Sequence, residues 1–83
     1  MRVEDILQRQ FLEVVENQLR ADEPKATRLT LERLEAEGYD REAAKQLISA
    51  CVAAALFDVM KNNQPFDEAR YTINLNRLPE LPE

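Results

Sequence analysis

The sequence predicts an all-α protein, a small bundle of about four helices with a buried central third helix. Between Leu47 and Phe57 only Ser49 is polar, so this most apolar run should be the buried element. The chain contains one glycine and few aromatic residues, so alanine supplies much of the packing, which favours closely packed helices. With 83 residues, we expect a single helical domain over residues 1–78, followed by an extended Pro-rich tail over residues 79–83.

The first helix should run from about Val3 to Arg20, because its apolar residues fall on one arc at 3.6 residues per turn. Glu4 and Asp5 lie where the helix dipole favours anions, and Arg20 lies where it favours cations. These signals predict an ordinary amphipathic helix with one packed side. The predicted apolar arc consists of Val3, Leu7, Phe11, Val14 and Val15.

The second helix follows a break at Asp22 and Pro24 and should end near Glu37. Asp22 is positioned to cap its N-terminus, and Pro24 suits the first turn, where a missing N–H has no cost. Leu29 lies opposite the buried stripe and needs separate cover or stays exposed. The predicted buried stripe consists of Thr27, Leu31 and Leu34.

The junction around Gly38, the only glycine, predicts a helix stop followed by a restart. Gly38 fits the left-handed residue that ends a helix, with Tyr39 placed to contact Leu34 in a Schellman motif. Asp40 is then the expected N-cap of the third helix, and Glu42 lies in its first turn.

The third helix should change character along its length, from about Asp40 to Lys61. Its first turns carry a polar face formed by Glu42, Lys45, Gln46 and Ser49, and the later turns are apolar almost all round. Asp58 lies at the fringe of the core arc and should find a cation, a hydroxyl or solvent, because an unpaired buried charge is costly. A second apolar face is predicted from Ala53, Leu56, Phe57 and Met60.

The fourth element has two possible interpretations. Asn62 or Asn63 can take a left-handed cap and Pro65 prevents the third helix from continuing, so a new element should start at or just before Asp67. Tyr71, Leu75 and Leu78 form a helical stripe, whereas Tyr71, Ile73 and Leu75 alternate as in a strand. We predict a helix, because no other segment could pair with a lone strand.

Three segments resemble a family of short bacterial helical proteins of unknown function. They are Leu31-Glu32-Arg33-Leu34, the run from Gly38 to Ala43, and the run from Pro65 to Tyr71. The similarity covers roughly Phe11 to Leu78. Similar sequences often carry histidines where this chain has Leu12 and Gln46, which cannot bind a metal as imidazole does. The resemblance therefore implies a fold and no activity.

The composition limits the classes of function. A formal charge of −5 argues against a nonspecific nucleic-acid surface, because such surfaces neutralise phosphates with Lys and Arg. Cys51 is the only cysteine, and acids stand where a signal peptide would need an apolar run. The apolar run of 11 residues is shorter than the roughly 18 needed to span a bilayer. We expect a soluble cytoplasmic protein without membrane contact.

The sequence shows no catalytic set of residues, so we predict no enzymatic activity, no cofactor and no metal. The chain lacks histidine, a Gly-rich phosphate loop and a Cys-x-x-Cys pair. The carboxylate pairs Glu13/Glu16 and Glu32/Glu35 are expected on solvated faces, since an inward-facing di-iron site would also require histidines. Cys51 is expected to pack in the core as a small hydrophobic residue.

The second apolar face of the third helix leads to the functional prediction. If the fourth helix and the tail cover it, the chain is a monomer. Otherwise Ala53, Leu56, Phe57 and Met60 contact another chain, and a symmetric homodimer is the simplest version. We therefore predict a noncatalytic protein–protein interaction or self-association module, with no small-molecule substrate. The alternatives are an acidic mimic or inhibitor of a nucleic-acid-binding protein, and an enzyme subunit whose site a partner completes.

Overall fold

The computed structural model describes residues 2–82 and confirms the predicted all-α bundle. It contains four helices, and no strand occurs within this range; the last residue of the predicted tail, Glu83, lies outside it. The element after Pro65 is a helix, as predicted. The four helices are α1 (Val3–Ala21), α2 (Lys25–Ala36), α3 (Arg41–Asn62) and α4 (Glu68–Arg77).

The helix α3 has the central position that the sequence predicts. It contacts α1, α2 and α4, and α2 likewise contacts the other three helices. Because α3 meets every other helix, its inward residues contribute the largest share of one continuous core. The core residues are Val15, Leu31, Leu34, Ala44, Ile48, Cys51, Val52, Ala55, Tyr71, Leu75 and Leu78.

The end of α2 is the Schellman motif that the sequence predicts. Gly38 has φ of +107°, a conformation that residues with a Cβ rarely adopt. The Tyr39 N–H donates to the Leu34 carbonyl and the Gly38 N–H donates to the Glu35 carbonyl, both at 3.1 Å. These two bonds satisfy carbonyls that the helix end would otherwise leave unpaired.

The predicted caps of α3 and α4 are also confirmed. Asp40 accepts a hydrogen bond from the Ala43 N–H at 2.8 Å, and Asp67 accepts one from the Arg70 N–H at 3.0 Å. Asn63 ends α3 in the left-handed conformation with φ of 51°. Each bond spans three residues, so these signals are fully contained in the local sequence.

The prediction that Asp22 caps α2 is wrong. Asp22 ends α1 in a left-handed conformation with φ of 52°, and its N–H donates to the Leu19 carbonyl at 3.3 Å. Its carboxylate instead accepts from Nε of Arg28 at 2.8 Å. In the bond to Arg28 both groups are ionised, whereas in a capping bond to a backbone N–H only the carboxylate is. As a result α2 starts after Pro24 without a side-chain cap.

The predicted apolar arc of α1 is buried only in its second half. Val15 is fully buried, and Phe11 and Val14 pack against the core. Val3 is 69% exposed and Leu7 is also exposed. The core packs against the later turns of α1, so the prediction of one buried stripe along the whole helix is wrong for its first two turns.

The polar face at the start of α3 is partly buried beneath α1, which the sequence pattern does not indicate. Lys45 is only 9% exposed, and Ser49 is buried. Lys45 forms an ion pair with Glu16 of α1 and lies 3.6 Å from Glu42. Nε2 of Gln8 donates to Oγ of Ser49 at 3.0 Å. These partners compensate for the hydration that the two polar side chains lose on burial.

Three residue-level predictions for the core have mixed outcomes. Thr27 and the two leucines of the α2 stripe are buried, and Leu29 on the opposite side is 54% exposed, as predicted. Leu47, expected in the core, is only half-buried and packs against its edge. Its neighbour Ile48 is completely buried instead, because it points towards the other helices.

The chain folds back after α4 instead of continuing as a simple extended tail. Leu78 is buried in the core, and the Glu80 N–H donates to the Arg77 carbonyl at 2.9 Å, which closes a turn. Leu81 and Pro82 then lie beside α3. The end of the chain thereby forms one wall of a groove.

Candidate interaction surface

An open groove runs along α3 between α1 and the end of the chain. Its volume is about 540 Å³. The floor consists of three alanines of α3, which bring the surface close to the helix backbone. Apolar side chains from three different parts of the chain surround this floor. The lining residues are Gln8, Phe11, Ala50, Ala53, Ala54, Phe57, Asp58, Lys61, Leu81 and Pro82.

Phe57 forms one wall of the groove and remains largely accessible. Its ring lies edge-on to the ring of Phe11, with 6.4 Å between the centroids and 72° between the planes. This is the T-shaped geometry that aromatic pairs prefer. The contact holds Phe57 in place, yet 55% of the residue stays exposed. Aromatic side chains, Phe among them, are enriched at protein–protein interfaces.

The structure places the four candidate interface residues in different surroundings. Ala53 and Phe57 line the groove. Met60, one turn after Phe57, is 77% exposed and lies outside the groove lining. Leu56 is half-buried and packs against the core. Three of the four therefore belong to a common exposed side of α3, and Leu56 faces towards the interior.

Sequence reasoning missed the parts of the groove that do not belong to α3. The sequence predicts Phe11 only on the packed side of α1, and its position on that apolar arc is a usable signal. Leu81 and Pro82 lie in a segment without helical or strand periodicity, so no local pattern could place them beside α3. Only the tertiary structure brings these residues together.

Asp58 has the partner that the sequence required. Nη1 of Arg70 lies 3.4 Å from Oδ2 of Asp58, and this ion pair joins α3 to α4. Asp58 also lines the groove together with Lys61, one turn further along α3. Among the lining residues that the structure describes, these two are the ionisable ones and they carry opposite charges, although the chain as a whole is acidic.

A smaller cavity of about 200 Å³ lies between α3 and α4, next to Tyr71. The Tyr71 hydroxyl donates to Oε1 of Gln18 at 2.8 Å and lies 3.2 Å from Oγ1 of Thr27. Burial raises the pKa of Tyr71 to about 12. The hydroxyl therefore stays protonated near neutral pH and links α1, α2 and α4, which is a structural role.

Cys51 packs in the core, as predicted, and is completely buried. Burial raises the pKa of the Cys51 thiol to about 11. Because the thiolate is the nucleophile, this environment keeps the side chain unreactive at neutral pH. Over residues 2–82, no group of three or more potential Cys, Asp or Glu ligands could hold a metal ion. That this protein needs no metal and no cofactor stays a prediction.

Most acids on the second helix and next to it are paired with cations of this chain. Arg28 bridges Asp22 and Glu32, at 2.8 and 3.3 Å. Arg33 pairs with Glu37 at 2.8 Å, and Arg41 lies 3.7 Å from Glu35. An acidic mimic needs carboxylates that are free to meet a partner's cations, and these acids are already engaged.

The length and composition of α3 match those of a membrane-crossing helix when the whole helix of 22 residues is considered. The apolar run considered in the sequence is shorter, because it excludes the flanking turns. Length and composition are weak criteria, since the core helix of a soluble protein meets them too. The other three helices all pack against α3. Absence of membrane contact stays a prediction.

Comparisons with family models, with curated proteins and with solved structures found no match to this chain. The resemblance to short bacterial helical proteins therefore stays a prediction.

Proposed function

We propose that this protein is a noncatalytic protein–protein interaction module that binds through the groove between α1, α3 and the end of the chain. The observation that supports the proposal is an apolar groove whose wall residue Phe57 is 55% exposed, with Met60 beside it at 77%. Burying such side chains is favourable by about 25 cal/mol per Å² of apolar surface, so their exposure next to an apolar groove supports a contact surface here.

The charge of the groove agrees with a protein partner. Within residues 2–82, Asp58 and Lys61 are its only ionisable lining residues, and their charges are opposite. A nucleic acid would require a basic surface, so direct nucleic-acid binding is not part of the proposal. The acidic-mimic alternative has less support, because the acids of α2 form ion pairs within the chain. We further propose a soluble cytoplasmic protein, since α3 packs against every other helix.

Position-specific photo-crosslinking in cells tests this function. A photoreactive phenylalanine analogue replaces Phe57 in one variant and Leu29 in a matched control, because the two residues have nearly the same exposed fraction, 55% and 54%. We expect adducts with one defined protein, identified by mass spectrometry, from position 57 only. Equal adduct yields from both positions would contradict the proposal.

A further inference from the structure

We propose that the occupant of the groove is a second copy of this chain, related by a twofold axis that passes near Ala53, with Phe57 of each copy against the alanine floor of the other. This inference rests on the proposed function, because it names the partner for the same groove. It depends on three properties of the surface: its shape, its charge and its size.

The shape of the groove is self-complementary. The large exposed side chain of Phe57 and the shallow floor at Ala50, Ala53 and Ala54 lie on the same side of α3. A twofold axis makes every contact occur twice, so residue i of one copy meets residue j of the other and the reverse. With α3 antiparallel to its copy and the axis halfway between Ala50 and Phe57, each aromatic ring faces the other copy's floor. The small alanine side chains allow this close approach.

The charge distribution favours a copy of the same chain over a strongly charged partner. Two molecules of charge −5 repel each other wherever their acids meet. The described part of the groove adds little to this repulsion, because its two ionisable residues, Asp58 and Lys61, have opposite charges. A strongly basic partner would gain little at such a surface, since electrostatic complementarity requires a local excess of acids. A groove whose described lining holds one acid and one base is therefore suited to contact between identical chains.

An interface of standard size needs only a modest fraction of the surface of this molecule. A specific interface of standard size covers about 800 Å² on each partner, which is about one-seventh of the 5708 Å² surface of this chain. The groove is flanked by Met60 at one end of α3 and by Leu81 in the chain end, both more than half exposed. Together with Phe57 they extend the apolar surface beyond the groove floor.

Light scattering coupled to size exclusion, followed by sedimentation equilibrium over a range of concentrations, gives the first test. We expect the wild type to reach twice its mass of 9.6 kDa. Phe57→Ala should weaken the dimer at least tenfold, as expected for an aromatic anchor. The matched control Leu29→Ala removes an equally exposed side chain from α2 and should leave the dimer unchanged. Circular dichroism melts verify that both variants fold.

Disulfide crosslinking tests the position of the axis. In an Ala53→Cys variant the two cysteines lie close to the axis and should form an intermolecular disulfide under mild oxidation, which requires Cα atoms within about 7 Å. Leu29→Cys is the control and should not crosslink. The wild type, whose Cys51 is buried, gives the background level.

Two outcomes would overturn the assignment of a second copy. One is a monomer at all concentrations. The other is a dimer that Phe57→Ala and Leu29→Ala weaken equally and that Ala53→Cys does not crosslink. If a monomeric wild type still forms adducts with a different protein from position 57, the second copy is excluded and the interaction module stands. If position 57 gives no specific adduct either, both proposals fail.

Discussion

Lys45 illustrates how a charged side chain can enter the interior of a small helical bundle. Only 9% of it is exposed, yet it pairs with Glu16 from the neighbouring helix and with Glu42 from its own. Buried charges are tolerated only when partners compensate for the lost hydration. Within residues 2–82 every buried side-chain nitrogen and oxygen atom has a hydrogen-bond partner. Burial of single polar residues thus depends on partners distant in sequence.

We expect Glu16→Gln to cost about 1 kcal/mol in unfolding free energy at neutral pH, a value reduced for the solvent screening of a partly exposed carboxylate. The Lys45 hydrogen bond holds the pKa of Glu16 below its usual value of 4.5. A depressed carboxyl pKa stabilises the fold above the unfolded-state value, and this contribution is lost as the pH falls through the lowered pKa.

Urea titrations of the wild type and of Glu16→Gln at pH 7 and at a pH well below the ordinary Glu pKa of 4.5 therefore measure this linkage, and the difference between the proteins should shrink at the lower pH. Glu13→Gln provides a control, because Glu13 is exposed on the same helix and should show little effect at either pH. A difference for Glu16→Gln that persists unchanged at low pH would contradict the role of the ion pair.

At the scale of single helices, the boundaries are set by capping residues whose contacts span only a few positions of the sequence. Gly38, Asp40, Asn63 and Asp67 each act within three to five residues, and each occupies the structural position that its residue type favours. Asp22 is the exception, because Arg28 competes for its carboxylate. In this chain, capping residues therefore predict the helix ends except where a charged side chain from elsewhere binds the capping group.

Gly38→Ala should destabilise the protein by about 1 kcal/mol, measured in thermal melts. No atom lies within 4 Å of the position that a Cβ would take, so the cost comes from the φ of +107° and not from a clash. Gly38→Asn should recover part of the loss, because Asn tolerates left-handed backbone better than Ala. Equal stability of the alanine variant and the wild type would show that the junction relaxes into another cap.

At the scale of the whole molecule, one core joins all four helices. Tyr71 of α4 bonds to Gln18 of α1, which lies 53 residues earlier, and to Thr27 of α2. The chain is small, so only roughly 63% of the extended-chain surface is hidden on folding. A single shared core of this kind should unfold cooperatively.

Ile48→Ala should lower the unfolding free energy by roughly 2–5 kcal/mol, because it truncates a completely buried side chain at the centre of this core. Leu47→Ala should cost clearly less, since Leu47 is half-buried. Denaturant titrations followed by helix content and by tyrosine fluorescence should give coincident transitions for both variants. A larger loss for Leu47→Ala, or transitions that separate, would contradict the shared core.

The sequence by itself determined the all-α class, the four helices and almost all of their ends. Caps, the single glycine and the apolar periodicity act through neighbours within about one or two turns, and this information is present in the sequence. The candidate residues Ala53, Phe57 and Met60 were accessible to the same reasoning, because their face on α3 follows from helical spacing.

Only the tertiary structure decided which sides of the helices are covered. In the folded chain Lys45 and Ser49 are buried and the start of α1 is exposed. Leu56 faces inward, and Leu81 lies beside α3. These outcomes depend on contacts between distant residues, such as the Gln8–Ser49 hydrogen bond across 41 positions. No local pattern encodes such contacts, because a side chain's burial depends on how the other helices pack around it.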